Sequence, residues 1–169
     1  MTAIIRPATD ADIDAILDIH NRAIRESMAI WSEDEVDRSD RVEWLHAHQR
    51  DGYPVLVAEV DEAIAGYAAY GPWRERSGYR YTVENSVYVS EAFQRQGIAR
   101  ALMVELIELA RADGRHVMVA VIEAGNAASI ALHAQLGFEP PQIMREVGTK
   151  FGRWLDLAFM RLAISSDRG

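Results

Sequence analysis

The order in which strand-like and helix-like hydrophobic periodicities follow one another constrains this chain more than any single residue does. Ile4 to Arg6 form a short apolar strand. Thr9 and Asp10 then offer caps ahead of Ile13, Ile16, Leu17 and Ile24, which are spaced along one helical face. A second helix is expected from a cap at Ser39 through Val42, Trp44 and Leu45 to Gly52, with Met28 to Asp37 as the loop between. Pro54 to Val60 and Ala63 to Tyr70 read as a hairpin turning at Asp61-Glu62, and Val83 to Val89 extends the sheet. Leu102, Leu106, Ile107, Leu109 and Ala110 mark a helix closed by Gly114; Val117 to Ile122 is a further strand. Asn126 opens a helix through Ile130, Leu132 and Leu136 to Gly137, and two last strands lie near Gln142 to Val147 and Trp154 to Leu162. The order β-α-α-β-β-β-α-β-α-β-β is that of a mixed α/β sheet with helices packed against it, without repeats or low-complexity linkers.

A length of 169 residues, 49% of them apolar, suits one domain over 1–169 with a proper core. No apolar run reaches the roughly 18 residues of a membrane span, and the N-terminus lacks a basic-then-apolar signal, so the expected location is cytoplasmic. The absence of cysteine excludes disulfides, thiolate metal sites and an acyl-thiol enzyme intermediate. A net charge of −8 would repel a phosphate backbone, which argues against nucleic acid as a partner.

The chemistry concentrates in Glu84-Asn85-Ser86-Val87-Tyr88-Val89 and, after a short loop, Gln94-Arg95-Gln96-Gly97-Ile98-Ala99-Arg100. A strand feeding a helix through such a loop leaves unpaired backbone N–H groups at the helix start, where the helix dipole also favours an anion. Gly97 lets the backbone approach a phosphate closely, Ala99 keeps the first turn uncrowded, and Arg95 and Arg100 add positive charge. The loop lacks both the GKS/T ending of a Walker loop and the G-x-G-x-x-G spacing of a dinucleotide site. By itself it is equally a plain helix entry with two solvated arginines.

The Q/R-x-x-G-x-G/A loop after a V-x-V strand, followed by an Asn-initiated helix ending in Leu-Gly-Phe, resembles the GNAT superfamily of N-acetyltransferases. More narrowly, Gly52 to Glu59, Thr82 to Val89, Asn126 to Phe138 and Val147 to Asp156 are similar to the phosphinothricin and methionine sulfoximine acetyltransferases. Ala29-Ile30-Trp31, Val36-Asp37 and Trp44 lean toward the methionine sulfoximine or sulfone branch. The resemblance implies a single-domain, mostly antiparallel sheet with a central splayed parallel pair, between whose strands acetyl-CoA lies. It implies backbone pairing of Val87, Tyr88 and Val89 with the pantetheine arm and a pyrophosphate seat at Arg95, Gln96, Gly97, Ile98, Ala99 and Arg100. Asn126 and Gln135 would lie along the same cofactor.

An amine attacks a thioester only when unprotonated, so a base is needed near neutral pH. Glu84 is the candidate, since strand alternation puts it on one face with Thr82 and Ser86; a purely electrostatic hold on the substrate ammonium is the competing reading. His133 stands where relatives carry a tyrosine or histidine near the leaving sulfur, which implies a proton donor; a lone histidine on an apolar helix also reads as structural. His46 and His48 point to different faces, and no metal is expected. The resemblance implies Arg74, Glu75 and Arg76, with Glu84, Asn85 and Ser86, as acceptor contacts, the arginines suiting a carboxylate or phosphinate; by itself the arginine stretch reads as a solvated charged turn. Asn85, Met28 and Pro72 depart from the residues usual in that branch, which bears on the acceptor and not on the reaction. Phe151, Arg153 and Trp154 resemble a segment near the acceptor end and a dimer contact, and a homodimer is expected. The leading expectation is acetylation of a free amino acid or analogue. Acetylation of a protein N-terminus or lysine, and a non-catalytic acyl-CoA-binding module, are the alternatives.

Overall fold

The computed structural model describes residues 3–165. The strands are β1 (Ile4–Pro7), β2 (Val55–Val60), β3 (Ala63–Pro72), β4 (Thr82–Val89), β5 (Val117–Glu123), β6 (Gln142–Lys150) and β7 (Arg153–Ala163). The helices are α1 (Ile13–Glu26), α2 (Arg38–Asp51), α3 (Ile98–Ala112) and α4 (Ala127–Gln135). One seven-stranded sheet runs in the order β1-β2-β3-β4-β5-β7-β6. Only β4 and β5 pair in parallel; the other neighbours are antiparallel.

Strand alternation builds two cores on the two faces of this sheet. Leu56, Ala58 and Val60 of β2 and Val83 of β4 pack with Leu102, Met103 and Leu106 of α3, with Ile130 and Leu132 of α4 at the margin. The intervening Val55, Val57 and Tyr67 turn to Ile13, Ile16 and Ile19 of α1 and Leu45 of α2. The hairpin between β2 and β3 turns on Asp61 and Glu62, both left-handed at φ 49° and 66°, the geometry that matches strand twist.

The second helix begins two residues earlier than its serine suggests. Asp37, not Ser39, is its cap: the Asp37 carboxylate accepts the Asp40 backbone N–H at 2.9 Å and also the Ser39 hydroxyl at 2.7 Å. Aspartate already carries the charge that suits a helix start, so serine is drawn in as a donor. Strands β3 and β6 run two and three residues beyond their expected ends, because pairing with β4 and β7 continues through Pro72 and Lys150. No helix among the described residues is long and apolar enough to cross a membrane.

Candidate active site

The sheet opens where β4 and β5 part. Their parallel pairing runs from Thr82↔Val117 to Asn85↔Ala120 and then stops. Beyond that point β4 stays bound to β3 as far as Gly66↔Val89, and β5 stays bound to β7 as far as Glu123↔Leu157. The backbone of Ser86 to Val89 therefore presents a free edge to the gap, which an amide-bearing arm can pair with as an added strand. Close approach of β3 secures the other side: a Cβ on Gly66 would lie 2.7 Å from the Tyr88 carbonyl oxygen.

One end of the gap is lined by the start of α3. Arg95 and Gly97 both adopt left-handed backbone, at φ 62° and 81°, which turns the chain sharply into the helix. Unlike α2 and α4, whose first turns are capped by Asp37 and Asn126, α3 has no side-chain cap on its leading amides. Gly97, Ile98, Ala99 and Arg100 line this chamber, together with Asn126 and Gln135 of the α4 segment. Uncapped amides at a helix start, with Arg95 and Arg100 at the rim, fit a pyrophosphate. Gln96 turns aside and donates its side-chain amide to the Ala92 carbonyl at 3.2 Å. Asn126 accepts the Ser129 N–H at 3.1 Å through its side-chain oxygen, and it borders the chamber at each end of the gap.

The other chamber, of about 370 Å³, is floored by Glu84, Ser86 and Tyr88 on the sheet face toward α1 and α2. Glu84 is half-buried, and desolvation raises its carboxyl pKa above the ordinary glutamate value, with the Arg74 guanidinium acting in the opposite sense. Burial, and next the nearby Glu84 charge, push the Tyr88 phenol up to about 12. The chamber thus joins a carboxylate of enhanced basicity to a phenol that keeps its proton near neutral pH. Arg74 stacks its guanidinium over Trp73 at 4.6 Å within electrostatic reach of Glu84. Arg74, Glu75 and Arg76 all sit on an exposed turn and line neither chamber.

Asn85 and His133 also line the Glu84 chamber, and their side chains meet on the α3 side of the sheet. Asn85 is turned from Glu84 by strand alternation, and its side-chain amide approaches His133 Nε2 at 3.0 Å and Met103 Sδ at 3.5 Å. His133 Nδ1 lies 2.8 Å from the Ser129 carbonyl, which can only accept, so Nδ1 holds the proton and Nε2 accepts from Asn85. Burial lowers the imidazole pKa and keeps this neutral form. The pair sits at the last parallel-bonded position of β4, so it ties α4 to the point where the sheet divides.

A model of the acetyltransferase (GNAT) family matches residues 14–138, most of the chain. The chain belongs to that family. Its GNAT relatives include an L-methionine sulfoximine/L-methionine sulfone acetyltransferase of Salmonella typhimurium, 52% identical over 95% of this chain and 94% of the relative. A phosphinothricin N-acetyltransferase of Streptomyces viridochromogenes is 40% identical over 92% of this chain and 84% of its own length. Among solved structures, an acetyltransferase fold from Salmonella typhimurium with its cofactor acetyl-CoA superposes with a TM-score of 0.97 at 49% identity, covering 100% of this chain and 98% of that one. The free edge of β4 and the uncapped start of α3 are the features of this GNAT chain that suit acetyl-CoA.

Two parts of the GNAT site lie beyond the residues singled out above as catalytic or binding. Ala29, Ile30 and Trp31, in the loop between α1 and α2, form a wall of the Glu84 chamber. Behind them, Gly148 and Lys150 of β6 support that loop. Lysine in a strand ordinarily reads as a solvated edge residue, so nothing in its local pattern signals a buried ammonium. His46 and His48 serve structure separately: His46 pairs with Asp10 at 2.8 Å, and His48 bonds the Trp44 carbonyl at 2.9 Å. Among the described residues no three His, Asp or Glu side chains gather as a metal site.

Proposed function

We propose that the chain transfers the acetyl group of acetyl-CoA to the amino group of a small free amino acid or analogue, of the methionine sulfone, methionine sulfoximine or phosphinothricin type. The observation that carries this reading is the half-buried Glu84, raised in pKa, on the floor of a chamber that opens beside the free edge of β4. Glu84 takes the proton of the substrate ammonium, directly or through a water. The neutral amine attacks the thioester carbonyl carbon, the C–S bond of the tetrahedral adduct breaks, CoA leaves as thiolate, and the nitrogen gives up its extra proton to solvent as the neutral amide forms. The backbone of Val87, Tyr88 and Val89 holds the pantetheine arm, and the Arg95 to Arg100 loop, with Asn126 and Gln135, holds the remainder. Since Nε2 of His133 accepts from Asn85 and carries no proton in the neutral ring, the proton for the departing sulfur comes from solvent or from Glu84.

Arg74 is the favoured partner of the acceptor's acid group, because of the three residues of its exposed turn it is the one whose charge is felt at Glu84. The same reading includes a cytoplasmic location and a symmetric homodimer. Exposed Ile143, Met144, Val147, Phe151 and Trp154, gathered on β6, β7 and their turn, support the latter.

A thiol-release assay with a panel of acceptors tests the reading. Methionine sulfone, methionine sulfoximine and phosphinothricin should turn over, whereas their carboxamides and short peptides should react far more slowly. An Arg74→Lys, Arg76→Lys double variant should lose acceptor affinity and keep that for acetyl-CoA, since lysine cannot make the two parallel bonds of a guanidinium. Peptides turning over faster than free amino acids would shift the assignment to protein N-terminal acetylation, and no turnover with any amine would leave a binding module.

A further inference from the structure

The ammonium of Lys150 is placed as few lysines are. It ends β6, is 1% exposed, and makes no ion pair among the described residues. Its hydrogen-bond partners are two backbone carbonyls, those of Ser27 at 2.7 Å and Ile30 at 2.5 Å. Withdrawing a lysine from water is costly, so the two bonds must offset a large desolvation. Burial lowers the Lys150 pKa and Glu33 opposes that shift, but the amine donates to carbonyls in either protonation state.

The two carbonyls flank Ala29, and Ala29, Ile30 and Trp31 together wall the chamber that contains Glu84. Two further contacts grip the same loop from the same hairpin. A Cβ on Gly148 would fall 2.1 Å from the Trp31 ring, so the indole rests directly on a bare strand backbone. One residue past Lys150, the Phe151 N–H donates to the Glu33 carboxylate at 2.7 Å. The indole N–H of Trp31 is in turn held by the Met28 carbonyl at 3.0 Å, which completes a loop tied at several points along a few residues.

We propose that Lys150 is a positioning residue for the amine acceptor: through the Ser27 and Ile30 carbonyls it sets how far the Ala29-to-Trp31 wall stands from Glu84, with Gly148 setting where the indole rests. Lys150 touches no reacting atom. It decides instead which acceptors fit between that wall and β4, and the inference rests on the reading of this chamber as the acceptor site.

Steady-state kinetics in both substrates separate this role from general stability, with methionine sulfone as acceptor and acetyl-CoA affinity measured independently by calorimetry. Lys150→Met retains the length and apolar bulk of the side chain but leaves two carbonyls unpaired. Gly148→Ala displaces Trp31 without touching Lys150. Each should raise the acceptor KM by on the order of ten-fold. The exposed Glu33→Ala should raise it by roughly three-fold. Acetyl-CoA affinity should stay within roughly two-fold throughout, as expected for separate sites. Unchanged acceptor KM in the folded variants would overturn the proposal, as would a parallel loss of acetyl-CoA affinity. If Lys150→Met does not fold, Gly148→Ala and Glu33→Ala decide the matter by the same criteria. A parent enzyme that acetylates only peptides would sink the functional reading by itself, and the variants are then scored with a peptide acceptor.

Discussion

The two ends of the gap between β4 and β5 are built on different principles. The α3 end comes from one continuous stretch, Arg95 to Arg100, and offers mainly backbone: two left-handed residues and a turn of uncapped amides. The Glu84 end is assembled from segments far apart in the chain, with a strand as floor, the α1–α2 loop as wall and the β6–β7 hairpin behind it. Backbone recognition tolerates side-chain change except where glycine supplies a conformation, whereas an assembled chamber depends on each side chain and on what holds it. The cofactor end should therefore be the more robust to substitution and the acceptor end the more sensitive.

The largest effect should come from Glu84→Gln, which keeps the shape and removes the base. General-base assistance contributes about 100- to 10,000-fold, so kcat near neutral pH should fall within that range while acetyl-CoA affinity is retained. Because burial raises the Glu84 pKa, the acid limb of the parent's kcat profile should lie above the ordinary glutamate value. Activity grows as pH rises through that limb and Glu84 ionises. In Glu84→Gln the limb should vanish, and raising pH should recover part of the loss as solvent deprotonates the ammonium. An unchanged kcat at neutral pH, with only the acceptor KM raised, would reduce Glu84 to an electrostatic anchor.

The same contrast explains which parts of the molecule were legible from residues alone. The element order and the Gly97 loop are local patterns, read from periodicity and from one glycine followed by a helix. The parting of β4 from β5 was carried only by the family resemblance, since no feature of Ser86 to Val89 says that their outer edge is unpaired. Alternation assigns the face of Glu84 and gives the Asn85 side chain to His133, although both residues line the same chamber. Lys150 was not legible: its partners are carbonyls 123 and 120 residues away, and carbonyls are common to every residue type. Ser39 misled because Asp37 is an equally good cap two residues earlier.

A ten-fold effect on the other chamber should follow from Gly97→Val. Its φ of 81° lies in the left-handed region, which costs a residue with a Cβ roughly 1–2 kcal/mol. No atom lies within 4 Å of the added Cβ, so the penalty falls on the backbone and not on packing. Either the strain persists or the first turn of α3 rearranges, and both withdraw its amides from the phosphates. Calorimetry should show acetyl-CoA Kd rising by about ten-fold, with the acceptor KM at saturating acetyl-CoA little changed. A Kd equal to the parent's would remove this helix start from the cofactor site.

The smallest effect should be that of Arg100→Gln, and it probes whether charge or backbone dominates the α3 end. Arg100 is exposed, so its attraction for a pyrophosphate is screened by water, and exposed ion pairs contribute about 0–1 kcal/mol. Acetyl-CoA affinity should therefore fall by no more than about five-fold, less than for Gly97→Val. Salt gives an independent measure, because the screening length shrinks from about 10 Å at 0.1 M to about 3 Å at 1 M. The parent's affinity should weaken over that interval and the variant's should weaken less, so that the two converge at high salt. The residual affinity at high salt then reports the amides of Gly97, Ile98 and Ala99 together with the β4 edge, none of which arginine removal alters. A loss near a hundred-fold for Arg100→Gln, with convergence at high salt, would make side-chain charge the main anchor and erase the contrast between the two ends of the gap.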